Sequence, residues 1–599
     1  MTPFSIPISD RRPGRGGKGG GSRPGRGGGS GGSGNNGGGG GGNNGEGGGG
    51  NNGGGGGGSG NGNALLDSVN WFGVPKEGCS CSDNQCVQKS PVVLPNARLV
   101  STKFHTDDTS AEDASVTHMV TQMGQFLDHD IVLTPEEEEH DCCHDSDAER
   151  PYCFPIQIPD DDYFYADHSL TCLEFSRSTG FCDDTDNLDS ASHEQLNAIT
   201  AFVDASNVYG SSDVDSLALR YNDGTGKLAL EDNSLLPKLG GEDRRAGDVR
   251  AREMPGLATM HTLFVREHNK ICDALKSHPD VTSAWTDDDY FQNARRILIA
   301  EMQKIVYGEY LPVVLGDDSM KEWKLELSHN SKYHKNADPS ISNSFATAAY
   351  RFGHSMIQGL IAMYNTQTIK QYQQYELGNN YFNLTNYELE DSNGQGMEQI
   401  LTGLIKQNAQ ANDRHVTVEA TNKLFANVGP TPGVGGDLVA RNIQRGRDHG
   451  LPSYAAFYKL FSNSDKNAMD CWDKRPEQIS STNWNILKKI YNHPHHIDLF
   501  VGGLAEKPYK GGLTGATFQG IKGRQFKALK NGDRFFFTHE GVMIRREYDQ
   551  IMARTLGDII CDNTNINQVP ENVFLVNSSL KDCSSSTSLN VNEFDVFRA

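Results

Sequence analysis

The sequence predicts a mainly α-helical fold with few short strands and long ordered loops. Apolar residues recur at helical spacing in three stretches, residues 116–127, 257–275 and 343–357. Alternating strand patterns are few and short, and long loops rich in Asp, Asn and Gly separate the helical stretches. Because loops of this length need something to order them, we expect disulfides or bound calcium in this protein.

Residues 1–63 predict a disordered, Gly-rich basic tail, and residues 14–62 hold 32 of the 67 glycines of the chain. The glycines follow no strict Gly-X-Y period, so a collagen helix is excluded. An inert linker is the first interpretation, and an arm that binds extracellular matrix is the alternative. Residues 64–91 follow as a Cys-containing segment, and residues 92–599 form the predicted folded domain.

The charge of the chain argues against nucleic acid as a partner. The 599 residues carry a formal net charge of −22, and the tail holds six basic and two acidic residues. The remainder therefore carries a net charge of −26, whereas phosphate binding needs a concentrated basic face. No apolar run approaches the ~18 residues of a membrane span. The composition therefore excludes a membrane-spanning protein and disfavours a DNA-binding one.

The twelve cysteines fall in groups that are typical of disulfides in an extracellular protein. Five lie between residues 142 and 182, Cys561 and Cys583 form a late pair, and reduced core thiols are the alternative. The sequence HDCCH at 140–144 also admits a zinc site, although disulfide pairing of its two cysteines is favoured.

Secretion is the predicted localisation of the protein. Two glycosylation sequons, at Asn383 (NLT) and Asn577 (NSS), agree with export. The first residues, MTPFSIPISDRRPG, contain no long apolar stretch, so no secretory signal peptide is visible in this chain.

The segment 122–130, QMGQFLDHD, predicts a functional site. Gln125 and His129 lie four residues apart, so a helix places both side chains on one face. Asp128 and Asp130 flank the histidine directly after an apolar helix face. A histidine with only a structural role is the alternative, but this polar position is unusual for a core residue.

A second candidate segment, GDVRAREM at 247–254, comes just before the predicted 257–275 helix. Its arginines, Arg250 and Arg252, are candidate binding groups. The alternative is a solvated charge pair with the neighbouring acidic residues Asp248 and Glu253.

Two more candidate segments are YRFGHSMIQ at 350–358 and NIQRGRDH at 442–449. In the first, Gly353 stands beside His354. Because glycine has no side chain, a flat group could approach this histidine closely.

Together with other stretches, these four segments resemble the animal haem peroxidase family. The resemblance runs from about residue 92 to residue 583 and implies one large, mainly α-helical peroxidase domain. Nine motifs in family order carry it: LPNARLVST, GQFLDHDIVLTP, CFPIQIP, FVDASNVYG, MHTLFVREHN, YRFGH, NIQRGRDHGLPSY, DLFVGGLAE and LKNGDRFFF.

The resemblance implies that this chain holds haem b. His354 matches the proximal iron ligand, Asn442 matches its hydrogen-bond partner, and Arg351 matches a residue near a haem propionate. Asp128 and Glu253 match the carboxylates that form ester bonds with the haem.

The resemblance also implies a set of distal groups that act on peroxide. His129 matches the distal histidine, Arg250 the distal arginine, and Gln125 a hydrogen-bonding residue of the same pocket. Peroxide cleavage needs a base that moves a proton between the two oxygens, together with a fixed cation for the negative charge that builds up. Met254 matches a position where some members bond the haem through a sulfonium, with simple packing against the haem edge as the alternative.

One calcium ion and one disulfide follow from the same resemblance. The matching calcium ligands are Asp130, Thr200, Phe202 (through its carbonyl), Asp204 and Ser206. Their oxygens are the ligand type that calcium prefers. Because Asp130 adjoins His129, the ion would also hold the catalytic histidine. The family pattern pairs Cys561 with Cys583.

The implied function is a secreted haem peroxidase that reduces hydrogen peroxide through an oxoferryl intermediate and oxidises phenolic groups, tyrosyl groups or halides. The alternative from another class is a secreted, non-catalytic matrix or adhesion protein that keeps the fold. Retention of His129, Arg250, His354 and Asn442 favours the enzyme. A cyclooxygenase-like enzyme is disfavoured by the calcium-site and ester-forming residues. Arg252 departs from the family, which usually has a small or neutral residue there, and could crowd or recharge the pocket.

Overall fold

The computed structural model describes most of the predicted folded domain. The described residues are 93–107, 111–136, 142–143, 153–180, 195–429, 431–461 and 468–599. The predicted tail and the Cys-containing segment lie outside them, so the domain boundaries at residues 63 and 91 stay predictions.

Nineteen α-helices, numbered α1 to α19 in chain order, are the main regular structure of the described part of the chain. They span Ala97–Phe104, Met119–Ile131, Ser206–Tyr209, Asp213–Ala218, Pro255–Leu275, Asp287–Ile305, Leu311–Leu315, Asp317–Trp323, Asn343–Thr347, Thr385–Glu388, Gly396–Leu404, Val418–Thr421, Leu438–Asp448, Tyr454–Phe461, Ser481–Ile490, Leu499–Ala505, Ala516–Gly532, Arg545–Ala553 and Leu556–Asn563. Six short 3₁₀ helices span Tyr165–His168, Ala349–Met356, Leu377–Asn379, Pro494–His496, Cys583–Ser585 and Val591–Glu593, and a π turn spans Val306–Tyr310.

Ten short strands, β1 to β10, form five two-stranded antiparallel sheets in the described residues. The strands span Glu112–Thr117, Ile156–Gln157, Cys172–Leu173, Leu360–Tyr364, Gln371–Glu376, Glu390–Asp391, Gly394–Gln395, Asn408–Gln410, Gln568–Pro570 and Leu580–Asp582. Strand β1 pairs with β8, and the other strands pair with their neighbours in the chain. The predicted fold, mainly helical with few short strands, is confirmed.

Helix α2 carries the first candidate segment and begins later than its apolar spacing predicts. Val116 lies in strand β1, which pairs with the distant strand β8 and takes it out of the helix. The prediction of a helix from residue 116 was therefore wrong at its start. The predicted apolar face from Met119 onwards is buried, at no more than 1 % exposure for Met119, Val120, Met123, Phe126 and Leu127.

Helix α5 is the long helix predicted at 257–275. It begins at Pro255, a residue suited to the first turn because its missing N–H needs no partner there. It packs against α2, α6, α11 and α19. Met254 precedes the helix as its N-terminal cap residue, in extended conformation, so the start of α5 fixes where Met254 lies.

The stretch 343–357 divides into helix α9 and the 3₁₀ helix Ala349–Met356. Ala348 lies between them with φ −136° and ψ −68°, outside the helical region, so one continuous helix was a wrong prediction. The predicted apolar residues are nevertheless all buried: Phe345, Ala348, Ala349, Phe352 and Met356.

Three disulfides tie the described loops and confirm the prediction made from cysteine grouping. They join Cys142 to Cys153, Cys143 to Cys172 and Cys561 to Cys583. Because Cys142 and Cys143 are both bonded to other cysteines, the zinc alternative for HDCCH is excluded. Cys79, Cys81, Cys86 and Cys182 lie outside the described residues. None of the described helices has the length and apolarity needed to cross a membrane.

Candidate active site

A cavity of about 360 Å³ is lined by helix α2, the residues before α5 and the 3₁₀ helix Ala349–Met356. Eight predicted site residues line it: Gln125, Asp128, His129, Arg250, Glu253, Met254, Arg351 and His354. This volume is typical of cofactor and small-molecule sites. The structure therefore brings three separate segments of the sequence to one place.

Arg250 is held in the cavity wall by Asp248. The Asp248 carboxylate accepts hydrogen bonds from the backbone N, Nε and Nη2 of Arg250, each at 2.9 Å. Nη2 of Arg250 also donates to the carbonyl of Val132 at 2.9 Å. Burial alone would raise the pKa of Asp248, but the adjacent guanidinium holds it well below its usual range. Asp248 is buried, so the pair differs from the solvated one that the sequence also allowed.

His129 lies in the same wall, with 5 % of its side chain exposed. Its Nδ1 is 3.6 Å from Oδ1 of Asp248 and has no hydrogen-bond partner among the described residues. Burial and the charge of Arg250 lower the pKa of His129 well below its ordinary value. The imidazole is therefore neutral and able to take up a proton. Nε2 of Gln125 donates to Oε2 of Glu253 at 3.4 Å, across the same part of the cavity.

His354 belongs to the wall formed by the 3₁₀ helix and is held from helix α13. Nδ2 of Asn442 lies 2.7 Å from Nδ1 of His354, and Oδ1 of Asn442 accepts from Nη1 of Arg351 at 2.8 Å. Burial, with the charge of Arg351, lowers the pKa of His354 to about 3. The ring is therefore neutral, which is the form that binds a metal ion.

Asp128 and Glu253 place two buried carboxyl groups in the cavity wall. Burial raises the pKa of Asp128 to about 6 and that of Glu253 to about 7, although the charge of Arg250 acts in the opposite direction on both. Within the described part of the chain no donor reaches the Asp128 carboxylate, and Gln125 alone reaches that of Glu253. Few hydrogen bonds therefore offset the free-energy cost of burying these two carboxyl groups.

Comparison with known proteins decides the family. The family model described as animal haem peroxidase matches residues 81–574. The chain belongs to this family. It is 34 % identical to myeloperoxidase of Mus musculus, over 84 % of this chain and 72 % of that protein. It is 33 % identical to peroxidasin of Drosophila melanogaster and 31 % identical to thyroid peroxidase of Rattus norvegicus, over 80 % of this chain in each case.

The chain spans only 33 % of that peroxidasin and 54 % of that thyroid peroxidase. Among solved structures, peroxidase A from Dictyostelium discoideum matches with a TM-score of 0.66 and 28 % identity, over 84 % of this chain and 95 % of that one. The fatty acid alpha-dioxygenase of Oryza sativa shares the fold at a TM-score of 0.63, with 20 % identity, over 82 % of this chain and 83 % of that one. Family and relatives indicate a haem-dependent peroxidase, an oxidoreductase.

The cavity residues fit the haem that the family implies. A Cβ built on Gly353 would meet no atom within 4 Å, so the space beside His354 is open, as the sequence predicts. The underpartnered carboxyls of Asp128 and Glu253 are available for bonding to a group in the cavity. Arg351 adds a cation to the same wall, which suits the negative propionates of a haem.

Four of the five predicted calcium ligands, Asp130, Thr200, Asp204 and Ser206, are linked by hydrogen bonds. Ser206 Oγ donates to the backbone carbonyl and to Oδ1 of Asp130, at 2.9 and 3.1 Å, and Thr200 Oγ1 donates to Oδ1 of Asp204 at 2.9 Å. No described donor reaches the Phe202 carbonyl. Burial raises the pKa of Asp204, and burial together with the Asp204 charge raises that of Asp130. Two close carboxylates with hydroxyl and carbonyl oxygens fit a calcium ion.

Arg252 does not enter the cavity. Its Nη1 lies 2.9 Å from Oδ1 of Asp243 in a partly exposed ion pair, and its guanidinium lies 5.7 Å from the ring centre of Phe382. The expectation that Arg252 could crowd or recharge the pocket is therefore wrong. The chain turns between the two arginines, with the buried Ala251 between them, so Arg250 lines the cavity while Arg252 lies against Asp243.

Sequence reasoning missed Asp248 as part of the site, and it also missed Tyr310 and Tyr350, which line the cavity. For Asp248 a signal was present, because an aspartate two residues before an arginine can accept from that residue's backbone N–H in an Asx-turn. Tyr310 gave no signal, since it lies beside an apolar stretch typical of an ordinary core, whereas Tyr350 opens the candidate segment 350–358 and was passed over in favour of His354.

Proposed function

We propose that this chain is a secreted peroxidase that reduces hydrogen peroxide and oxidises phenolic groups, tyrosyl groups or halides. One observation carries the proposal. A neutral histidine, His129, and a fixed cation, Arg250, share a cavity with a second neutral histidine, His354, whose Nδ1 is held by Asn442.

The haem would be held from several sides of the cavity. His354 would bind the iron through Nε2, which leaves the ring proton on Nδ1. The Asn442 amide would then turn its Oδ1 to accept a hydrogen bond from Nδ1, in place of the bond that it accepts from Arg351. As a neutral amide, Asn442 leaves this imidazole less anionic than a carboxylate partner would. Asp128 and Glu253 would form the two ester bonds. The bound haem supplies the electrons that reduce peroxide and later takes electrons from the donor.

The residues of the chain supply the proton movement and the charge. His129 takes a proton from one peroxide oxygen and returns it to the other, a role that its neutral, buried imidazole suits. Arg250 stays charged and stabilises the negative charge that builds on the departing oxygen. Gln125, which lines the cavity on the same helix as His129, donates a further hydrogen bond to groups bound there.

The proposed protein binds one calcium ion and is secreted. Asp130, Thr200, Phe202, Asp204 and Ser206 would bind one calcium ion, and Asp130 would thereby hold the adjoining His129. The three disulfides support an oxidising compartment. Matrix binding by the Gly-rich tail stays a prediction about residues outside the described part.

The test uses the purified full-length chain. A Soret absorption band that changes on addition of hydrogen peroxide, followed by turnover of guaiacol, tyrosine or bromide, is the expected result. Protein that folds and secretes but takes up no haem, or that holds haem without reacting with peroxide, would contradict the proposal and favour a non-catalytic matrix protein. Comparing the donors in one assay identifies which class is oxidised fastest.

A further inference from the structure

Asp248 contacts both of the groups that would act on peroxide. We propose that Asp248 is a positioning residue: its carboxylate keeps the proton of His129 on Nδ1 and aims the free Nη1 of Arg250 into the cavity. This inference rests on the proposed function and adds a residue to it.

Asp248 fixes the orientation of the Arg250 guanidinium. A guanidinium has five N–H donors in a rigid plane, and two parallel bonds to one carboxylate fix that plane. Nε and Nη2 of Arg250 both donate to Asp248, and Nη2 also donates to the carbonyl of Val132. No described residue accepts from Nη1. Since Arg250 lines the cavity with 24 % of its side chain exposed, Nη1 is the donor left for a ligand.

Asp248 also lies close to one of the two ring nitrogens of His129. A neutral imidazole carries its proton on one nitrogen and accepts with the other. Nδ1 has no hydrogen-bond partner among the described residues, and Oδ1 of Asp248 lies 3.6 Å away. A shift of a few tenths of an ångström would bring the two atoms within hydrogen-bond distance, about 3.2 Å. A proton on Nδ1 leaves the lone pair of Nε2 free to accept the peroxide proton.

Burial makes this arrangement effective. Asp248 is 4 % exposed, so no bulk water competes for its oxygens. The neighbouring guanidinium keeps it ionised, and a carboxylate with no proton can only accept hydrogen bonds. In the other tautomer the proton is on Nε2, so Nδ1 has no proton to donate to Asp248. That tautomer cannot take a proton from peroxide at Nε2.

A purely structural role for Asp248 is the competing explanation, since it also accepts from the backbone N of Arg250. The two explanations differ in which ligands they affect. Hydrogen cyanide must lose a proton when it binds ferric haem, as peroxide must, whereas carbon monoxide binds ferrous haem without any proton transfer. If Asp248 is a positioning residue, its loss should slow the reactions with cyanide and peroxide and leave carbon monoxide binding unchanged. If its role is only structural, its loss should slow all three reactions.

The test compares the Asp248→Asn variant with wild type, both loaded with haem, by stopped-flow absorption. Asparagine has no charge and cannot accept from both Nε and Nη2 of Arg250. We expect the rate constants for cyanide and for peroxide to fall by on the order of 10²-fold, with carbon monoxide binding unchanged. Asp243→Asn is the matched control, because it breaks the Asp243–Arg252 pair of the same loop outside the cavity. It should leave all three rates unchanged.

Wild-type cyanide rates in Asp248→Asn, or equal losses for cyanide and carbon monoxide, would overturn the inference. If wild type binds cyanide but does not react with peroxide, the proposed function fails while the cyanide comparison still tests Asp248. If the variant takes up no haem, a crystal structure of haem-loaded wild type decides. A distance from His129 Nδ1 to Asp248 within about 3.2 Å supports positioning, and a distance that stays beyond hydrogen-bond range contradicts it.

Discussion

Two regions of the molecule bury charged side chains, and they compensate for that burial differently. Near helix α19, Arg554 pairs with three carboxylates, those of Glu267, Glu301 and Asp562, at 2.7 to 3.0 Å, and Oε2 of Glu301 is the one buried side-chain N or O atom of these four described residues left without a partner. In the cavity, no described donor reaches Asp128, and Nδ1 of His129 has no partner among the described residues.

The difference separates structure from function. A buried charge costs free energy unless it is paired, and a chain that folds pairs the charges it uses only for stability. Groups left underpartnered in a cavity mark the place where a molecule from outside the chain completes the site. The charges of the Arg554 cluster are therefore compensated within the chain, whereas the cavity is suited to a cofactor.

The largest effect should come from His354, the histidine assigned to the iron. His354→Ala should lose its haem or its normal Soret band, because it removes the neutral ring whose Nδ1 Asn442 holds. His268 is the matched control. Its Nδ1 accepts from Tyr209 at 2.9 Å and its Nε2 donates to the carbonyl of Gly226 at 2.9 Å. His268→Gln should lower the melting temperature and keep the Soret band. Retention of a normal band in His354→Ala would contradict the assignment.

The Arg554 cluster should behave in the opposite way. Arg554→Met leaves three buried carboxylates without their cation, and removal of one partner of a buried ion pair costs about 3–5 kcal/mol. Denaturant unfolding should show that loss, while the Soret spectrum and peroxide rate of the folded fraction stay as in wild type. A selective change in peroxide rate with no loss of stability would break the comparison between the two regions.

Calcium should affect both the stability of the fold and the reaction with peroxide, because its proposed ligand Asp130 adjoins His129. Chelation with EGTA should lower the melting temperature and the peroxidase activity together, and calcium, but not magnesium, should restore both. Metal analysis that finds no tightly held calcium in active protein would refute this prediction. Activity that survives loss of the ion would separate calcium from the cavity.

The smallest effect concerns Met254, which lines the cavity just before helix α5. A sulfonium bond from its sulfur to the haem would withdraw electrons from the ring, red-shift the absorption and favour halide oxidation. Mass spectrometry of haem peptides after peroxide turnover is the measurement, with Met254→Leu as the control for simple packing. Haem attached only through Asp128 and Glu253 would exclude the sulfonium and make packing the role of Met254.

Much of the site could be predicted from sequence because its groups occur in short, ordered motifs. The resemblance assigned the haem and calcium positions, and eight of the predicted side chains line one cavity. Periodicity also predicted helix α5, whose apolar stripe depends on neighbouring turns of the same helix.

The parts that were missed depend on distant segments. Val116 is strand rather than helix because β1 pairs with β8, and periodicity contains no information about that pairing. Asp248 resembles a surface charge until its burial is known, and Arg252 resembles a pocket residue until its contact with Asp243 is known. Burial of a charge is decided by tertiary packing, so a local pattern cannot supply it.

The cavity wall that carries His129 and Arg250 is the part of the molecule proposed to act on peroxide. The most direct measurement is the rate at which the Soret band changes after peroxide is mixed with haem-loaded His129→Ala. We expect this variant to keep its haem and to react more slowly than wild type by about 10²–10⁴-fold or more, the usual contribution of general acid–base catalysis. Reaction of His129→Ala at the wild-type rate would contradict the account.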